Sequence, residues 1–237
     1  MPSWASFAQG QLGYTLSGLD LAGENYTMKL FQISLLTLFA VIYAAIPSYA
    51  LIKIDDDSID LAIKYGLKMK GQETRDILGN NWISDSEGRV LTVYSPFIQL
   101  VTKSNAQAST GNPDEDIKNV KNNLSNEIKK ISNKNEVRFI VDLYGDTPDF
   151  AKNCTSFIID ENEYNSNSKE KNFIKPKKQT AQKIADKDNY DPKHPFSAIN
   201  LYTYKFDTVS KLKEYYLVIV SSDGKETKFK VNNSQIF

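Results

Sequence analysis

The chain has 237 residues, 29 of them basic and 29 acidic, so its formal charge at neutral pH is zero. That balance excludes the net-basic, clustered surface that nucleic-acid binding requires. Cys154 is the only cysteine and His194 the only histidine, which excludes an intramolecular disulfide and a zinc site built on several histidines.

The first feature in chain order is Leu30 to Ile52, a run of 23 residues without a charge between Lys29 and Lys53. At about 1.5 Å of rise per residue it is long enough, as a helix, to cross a hydrocarbon core of about 30 Å. Its internal order is that of an export signal: Met28-Lys29 as a short basic start, an apolar middle to Ala45, then Pro47-Ser48-Tyr49-Ala50 with small residues at a helix-breaking close. Met1 to Thr27 contains Asp20 and Glu24 but no Lys or Arg, a poor basic leader. Residues 1–27 therefore read as a leader that is a gene-model extension, with Met28 the start, and 28–50 as a signal peptide or membrane anchor. An uncleaved anchor would place the C-terminal body outside the cytoplasm, because Lys53 is offset at once by Asp55, Asp56 and Asp57. A buried helix is the third reading of this run. Residues 51–237 form the body, with 28 basic and 27 acidic residues once Lys29, Asp20 and Glu24 are set aside, and a length suited to one α+β domain.

Ser58 is placed to cap a helix over about Ile59 to Met69, whose acidic flank, Asp55 to Asp57 and Asp60, lacks the glycine and distal Glu of a calcium loop. Trp82-Ile83 reads as packing. Arg89 to Tyr94 has strand composition, and Ser95-Pro96 then opens a helix carrying Phe97, Leu100, Val101 and Ser104 on one face. Asn105 to Asp116 is a loop. Ile117, Val120, Leu124, Ile128 and Ile131 follow at helical spacing, an amphipathic helix with outward lysines.

Glu136 to Tyr144 is the strongest strand, with Val137, Phe139, Val141 and Leu143 inward. A second strand is expected at Ser156 to Ile159, an exposed polar loop at Asp160 to Lys171, and a proline-framed loop at Tyr190 to Pro195. Ala198 to Phe206 alternates with Tyr202, Tyr204 and Phe206 on one side. Tyr215 to Val220 is apolar throughout, and Ser221-Ser222-Asp223-Gly224 turns it into a hairpin with Thr227, Phe229 and Val231. These elements predict an α+β fold, helices in the first half of the body packed on a mainly antiparallel sheet of about five or six strands, with one core joining them.

Candidate chemistry is sparse. Asp142, Asp146 and Asp149 gather around a strand end and its loop, near Tyr144, where a hydrolase-like enzyme would hold its acids and His194 would assist. Cys154 is the one thiol that His194 could activate. Tyr202, Tyr204, Tyr215 and Tyr216 are the candidate platform for a carbohydrate or peptide. No cofactor or metal is expected. The leading expectation is an exported, cell-envelope or secreted (periplasmic, cell-surface or extracellular) non-enzymatic binding or structural module. Its partner would be an envelope protein or polysaccharide, with membrane contact only through 30–52 if that run stays uncleaved. The secreted hydrolase and the signal-anchored protein are the alternatives.

Overall fold

The computed structural model describes residues 51–85, 87–107, 113–168, 170–187 and 194–236. The leader 1–27, the apolar segment to Ala50, and parts of the loops at 105–116 and 190–195 lie outside these residues. The described residues all belong to the compact unit that begins at Ser48.

The helical part comes first. Helix α1 spans Asp56–Lys68, and its N-cap is Asp55 rather than Ser58. The Asp55 carboxylate accepts from the Ser58 amide at 2.9 Å while the Ser58 hydroxyl accepts from the Asp55 amide at 2.7 Å, a reciprocal box that satisfies two of the otherwise unpaired N–H groups. Helix α2, Thr74–Leu78, and a 3-10 turn, Gly79–Asn81, lead into strand β1, Trp82–Ser84, which sequence patterning missed because three residues carry no periodicity. Strand β2, Val90–Tyr94, feeds helix α3, Pro96–Gln107, whose first turn is capped by Ser95 Oγ accepting from the Ile98 amide. The single amphipathic helix expected on Ile117 to Ile131 is two: α4, Pro113–Asn123, and α5, Ser125–Lys134, separated at Leu124 after the weak helix formers Asn122 and Asn123. The apolar stripe crosses the break intact, since Val120, Leu124, Ile128 and Ile131 are all buried.

These helices share their own hydrophobic cluster, built on Ile63, Leu78, Phe97, Leu100, Val101 and Leu124, with Trp82 and Tyr94 of the adjoining strands packed against it. At the centre α1 and α3 approach so closely that a Cβ at Gly66 would lie 2.4 Å from the Val101 carbonyl oxygen, and Asn105 Nδ2 donates to the Gly66 carbonyl at 3.1 Å.

The rest of the body is antiparallel β. Strands β3 (Glu136–Gly145), β4 (Thr155–Asp160), β5 (Lys178–Thr180), β6 (Asp186–Lys187), β7 (Phe196–Lys205), β8 (Glu214–Val220) and β9 (Glu226–Asn232) join β1 and β2 in two sheets. The larger runs β1-β2-β3-β7-β5, with β6 also on β7; the smaller runs β4-β8-β9. Two short helices, α6 (Glu161–Asn165) and α7 (Phe206–Val209), punctuate them, α6 standing where a loop was expected because Asp160 caps it.

The two sheets pack face to face. Val137, Phe139, Val141 and Leu143 of β3 point inward as their alternation predicts, joined by Leu91 and Val93 of β2 and by Tyr202 and Tyr204 of β7. The second sheet contributes Ile158, Tyr215, Leu217, Ile219, Phe229 and Val231. Phe139 is the hub, edge-on to Tyr204 at 5.4 Å in its own sheet and to Tyr215 at 6.4 Å in the other. Ser156 Oγ and Tyr204 Oη lie 2.7 Å apart, a hydrogen bond across the layers. The fold is therefore α+β as expected, with helices in the first half of the body and a mainly antiparallel sheet of six strands; a three-stranded sheet stands beside it in addition, and two hydrophobic clusters replace the one core expected.

Tyr215 is fully buried, and among the described residues its hydroxyl has no hydrogen-bond partner. An unsatisfied buried hydroxyl is a cost that removal relieves. Tyr215→Phe is thus expected to leave stability unchanged or raise it by up to about 1 kcal/mol, whereas Tyr204→Phe, which breaks the bond to Ser156, should lower it by about 1 kcal/mol. Urea titrations of the two variants side by side check the difference in sign.

Candidate functional site

At one end of the sandwich the loop after β3, the β8–β9 turn and Arg89 border a cleft of about 350 Å³, whose lining includes Tyr144, Asp146, Cys154, His194, Asp223 and Lys225. Gly145 closes β3 without a side chain because the Phe150 ring sits where a Cβ would be, only 2.3 Å from it. The loop then carries Asp146 to the cleft mouth, where its carboxylate meets His194 Nδ1 at 2.9 Å. Asp146 is largely in water and His194 about one-third exposed, so the pair sits on the rim.

Several other polar groups of the cleft are committed to neighbours. Arg89 binds Asp85 through Nε at 2.5 Å and Glu87 through Nη1 at 3.0 Å, and Nη1 also donates to Thr227 Oγ1 at 2.9 Å. The Ser221 hydroxyl donates to Asp223, whose carboxylate also accepts the Lys225 amide. The Ser221 hydroxyl first, and that amide next, hold the exposed Asp223 carboxyl below its ordinary range. Thr147 donates to Asp149 at 3.0 Å. Cys154 is buried, its thiol directed at the Phe150 carbonyl oxygen at 3.8 Å, and burial first and the Asp223 charge second push its pKa up. A thiol held protonated is a poor nucleophile.

Of the three carboxylates singled out in the sequence, Asp146 alone reaches this cleft. Asp149 caps the turn through Thr147. Asp142 lies on the outer face of the larger sheet, in register between Val90 and Ile199, where partial burial raises its pKa. The structure thus does not assemble Asp142, Asp146 and Asp149 into one acid-base centre. It does bring His194, Asp146, Tyr144 and Cys154 to one cleft, over nearly fifty positions of sequence, a proximity that no spacing rule could have given. Among the described residues no hydrogen bond joins the thiol to the imidazole, and no cluster of three or more His, Cys, Asp and Glu side chains is placed to hold a metal ion.

The tyrosine platform is also corrected. Tyr202, Tyr204 and Tyr215 are inside the sandwich at 0% exposure, and burial pushes each phenol pKa well up. Alternation identified their shared face, and that face is the core. Only Tyr216 lies on the outer side, its ring 4.7 Å from that of Tyr164, which Lys171 and Lys228 flank.

Two predictions arise here. Because Asp142 binds its proton more tightly folded than unfolded, its contribution is most favourable below the ordinary carboxylate range and is lost as pH rises through the raised folded value. Asp142→Asn should therefore stabilise the protein at neutral pH and make no difference near about pH 3, where both forms are neutral; thermal melts at the two pH values test this. Cys154 in the native protein should react with iodoacetamide at least about tenfold more slowly than an exposed thiol, with a rate unmoved by His194→Ala. Rapid labelling that falls in the His194 variant would instead identify an activated thiol.

Compared with known proteins, the chain matches no protein-family model and no curated protein sequence.

Proposed function

We propose that the protein is an exported binding or structural module of the cell envelope or extracellular space, its body held outside the cytoplasm as a two-sheet domain with an appended helical layer. The observation that carries this reading is the 23-residue uncharged run Leu30 to Ile52 with its Pro47-Ser48-Tyr49-Ala50 close. Two features of the body support it. Leu51, the first residue after that close, is already part of the sandwich core at 3% exposure. The cleft has a mixed polar and apolar lining, in which the Ser221 and Thr227 hydroxyls, the Arg89 guanidinium and the thiol are bound to neighbours other than His194. Neither hydroxyl nor the thiol is paired, among the described residues, with the imidazole that would activate it as a nucleophile. Among the described residues no helix is long and apolar enough to cross a membrane, and Leu30 to Ala50 lie outside them.

N-terminal sequencing of the mature protein, combined with fractionation of the producing cells, tests the proposal. A chain starting at Leu51 outside the cytoplasm supports a secreted module. A chain that keeps residues 28–50 and sits in the membrane supports the anchored form. Full-length soluble protein in the cytosol overturns export. For the non-enzymatic part, loss of a measured turnover in Asp146→Asn or His194→Ala, with the fold intact, would replace the binding module by an enzyme.

A further inference from the structure

The larger sheet ends at β5 and the smaller at β4, and the seam between these two edges is open. On one side it is lined by Thr155, Ser156 and Phe157, on the other by Phe173 and the run Lys175 to Gln179, around a groove of about 530 Å³. The groove continues into a second depression of about 450 Å³ that shares Thr155 and Gln179 with it and adds Lys152 and Lys183.

The lining has one sign of charge. Five lysines, 152, 175, 177, 178 and 183, face the two depressions and no Asp or Glu does. Lys177 is tied to Glu136 at 2.7 Å; among the described residues no ion pair engages the other four. In a chain whose charges cancel overall, this strip is a local excess that an anionic partner would neutralise.

The groove also offers main chain. In an antiparallel ladder, residues alternate between turning their N–H and C=O toward one neighbour and toward the other. Ile158 exchanges both bonds with Ile174, so it faces away from β8, and Ser156, two residues earlier, faces the same way. On β7, Phe206 donates to Asn135, which sets the even-numbered positions toward β3 and the odd-numbered ones, Leu201 and Thr203, toward their β5 partners Thr180 and Lys178. Gln179, between those two, turns its main chain outward. Gln179, exposed, and Ser156, buried to 5% exposure, therefore turn their backbone donors and acceptors toward the groove from opposite edges. Beside them, Phe157 and Phe173 stack edge to face at 4.7 Å, with Phe173 half exposed, giving an apolar contact at the end of the basic strip.

We propose that this seam is a docking groove for an extended acidic peptide segment of a partner protein. The segment lies along β5 and β4 as an added strand, hydrogen-bonded through Gln179 and Ser156, with its carboxylates on the lysines and an apolar residue on Phe173. Strand addition to an exposed edge draws affinity from main-chain bonds and selectivity from the flanking side chains. The same lysines set against a second copy of this edge would repel, which disfavours self-pairing. The groove's second depression meets the His194 cleft only at Cys154, which lines both, and its use does not depend on export.

The test is fluorescence anisotropy of the full-length protein with a labelled ten-residue peptide alternating Glu and Val. Saturable binding is expected. It should weaken at least tenfold in the variant Lys175→Gln/Lys178→Gln/Lys183→Gln, whose circular dichroism should match that of the parent. It should also weaken at least tenfold when two of the peptide's valines are replaced by proline, which keeps the charge and removes the strand. Absence of saturable binding overturns the proposal. So does a proline peptide that binds as well as the parent peptide, or a sulfated polysaccharide that binds more tightly than the peptide with the same lysine dependence, since either describes a surface for polyanions at large.

Discussion

Phe139→Ala is expected to cost about 3–5 kcal/mol, the largest single effect in the body. The ring has 0% exposure at the middle of β3, and it is where the two sheets meet, edge-on to Tyr204 and Tyr215 at once. Truncation removes the buried area of an aromatic side chain and leaves a void lined by two tyrosines that their own strands hold in place. Such a site collapses poorly, which puts the cost toward the upper part of that range. Since a domain of this kind is stable by only about 5–15 kcal/mol, the variant should lose a large part of its folding free energy. Phe139→Leu, which keeps most of the volume, should lose much less. Urea denaturation of both variants measures this, and a Phe139→Ala midpoint close to the parent's would show that the sheets do not depend on this contact.

Gly66→Ala sets two effects in opposition. In a free helix the substitution would gain up to about 1 kcal/mol, because alanine is the better helix former. Here the new methyl would meet the Val101 carbonyl oxygen at 2.4 Å, Ser104 Cβ at 2.8 Å and the Asn105 amide nitrogen at 3.0 Å. Two of those three atoms are main chain of α3, so no rotamer change relieves the contact and the helices must move apart. Separation opens the helical cluster around Ile63 and Val101 and stretches the bond from Asn105 to the Gly66 carbonyl. Overpacking of this kind costs about 1–3 kcal/mol, so the steric term wins and a net loss of about 2 kcal/mol is expected. A thermal melt decides it: a midpoint above the parent's would mean that propensity had prevailed.

What could be read from the sequence follows the length and regularity of each element. Strand β3 was legible because Val137, Phe139, Val141 and Leu143 fall at every second position of one run, and the β8–β9 hairpin because Asp223-Gly224 stands between two strand patterns, with Gly224 at φ +82°. Strands β1 and β5 are too short for any period to show. Division into two sheets was hidden for a different reason: alternation assigns each residue a face but says nothing of which strand lies beside it, and both sheets bury the same kind of face. The tyrosines show the same ambiguity in the candidate site, since a row of aromatics on one side of a strand suits a core as well as a platform, and only burial distinguishes them. His194 and Asp146 are 48 residues apart, and their meeting depends on the whole sandwich being in place.

Strand β7 lies between β3 and β5 in the larger sheet, yet it is made only after the first strand of the smaller sheet. Until residues 196–205 are available, β3 has β2 alone as a ladder neighbour. The sandwich therefore cannot close from the first residues of the body; closure waits for about the last fifth of the chain, and long-range pairing of this kind is slow. A polypeptide built in this order stays open, and vulnerable to proteases and to sticking to its own kind, for most of its synthesis. Under the export proposed above, which takes a chain through a narrow pore unfolded, that delay would be an advantage.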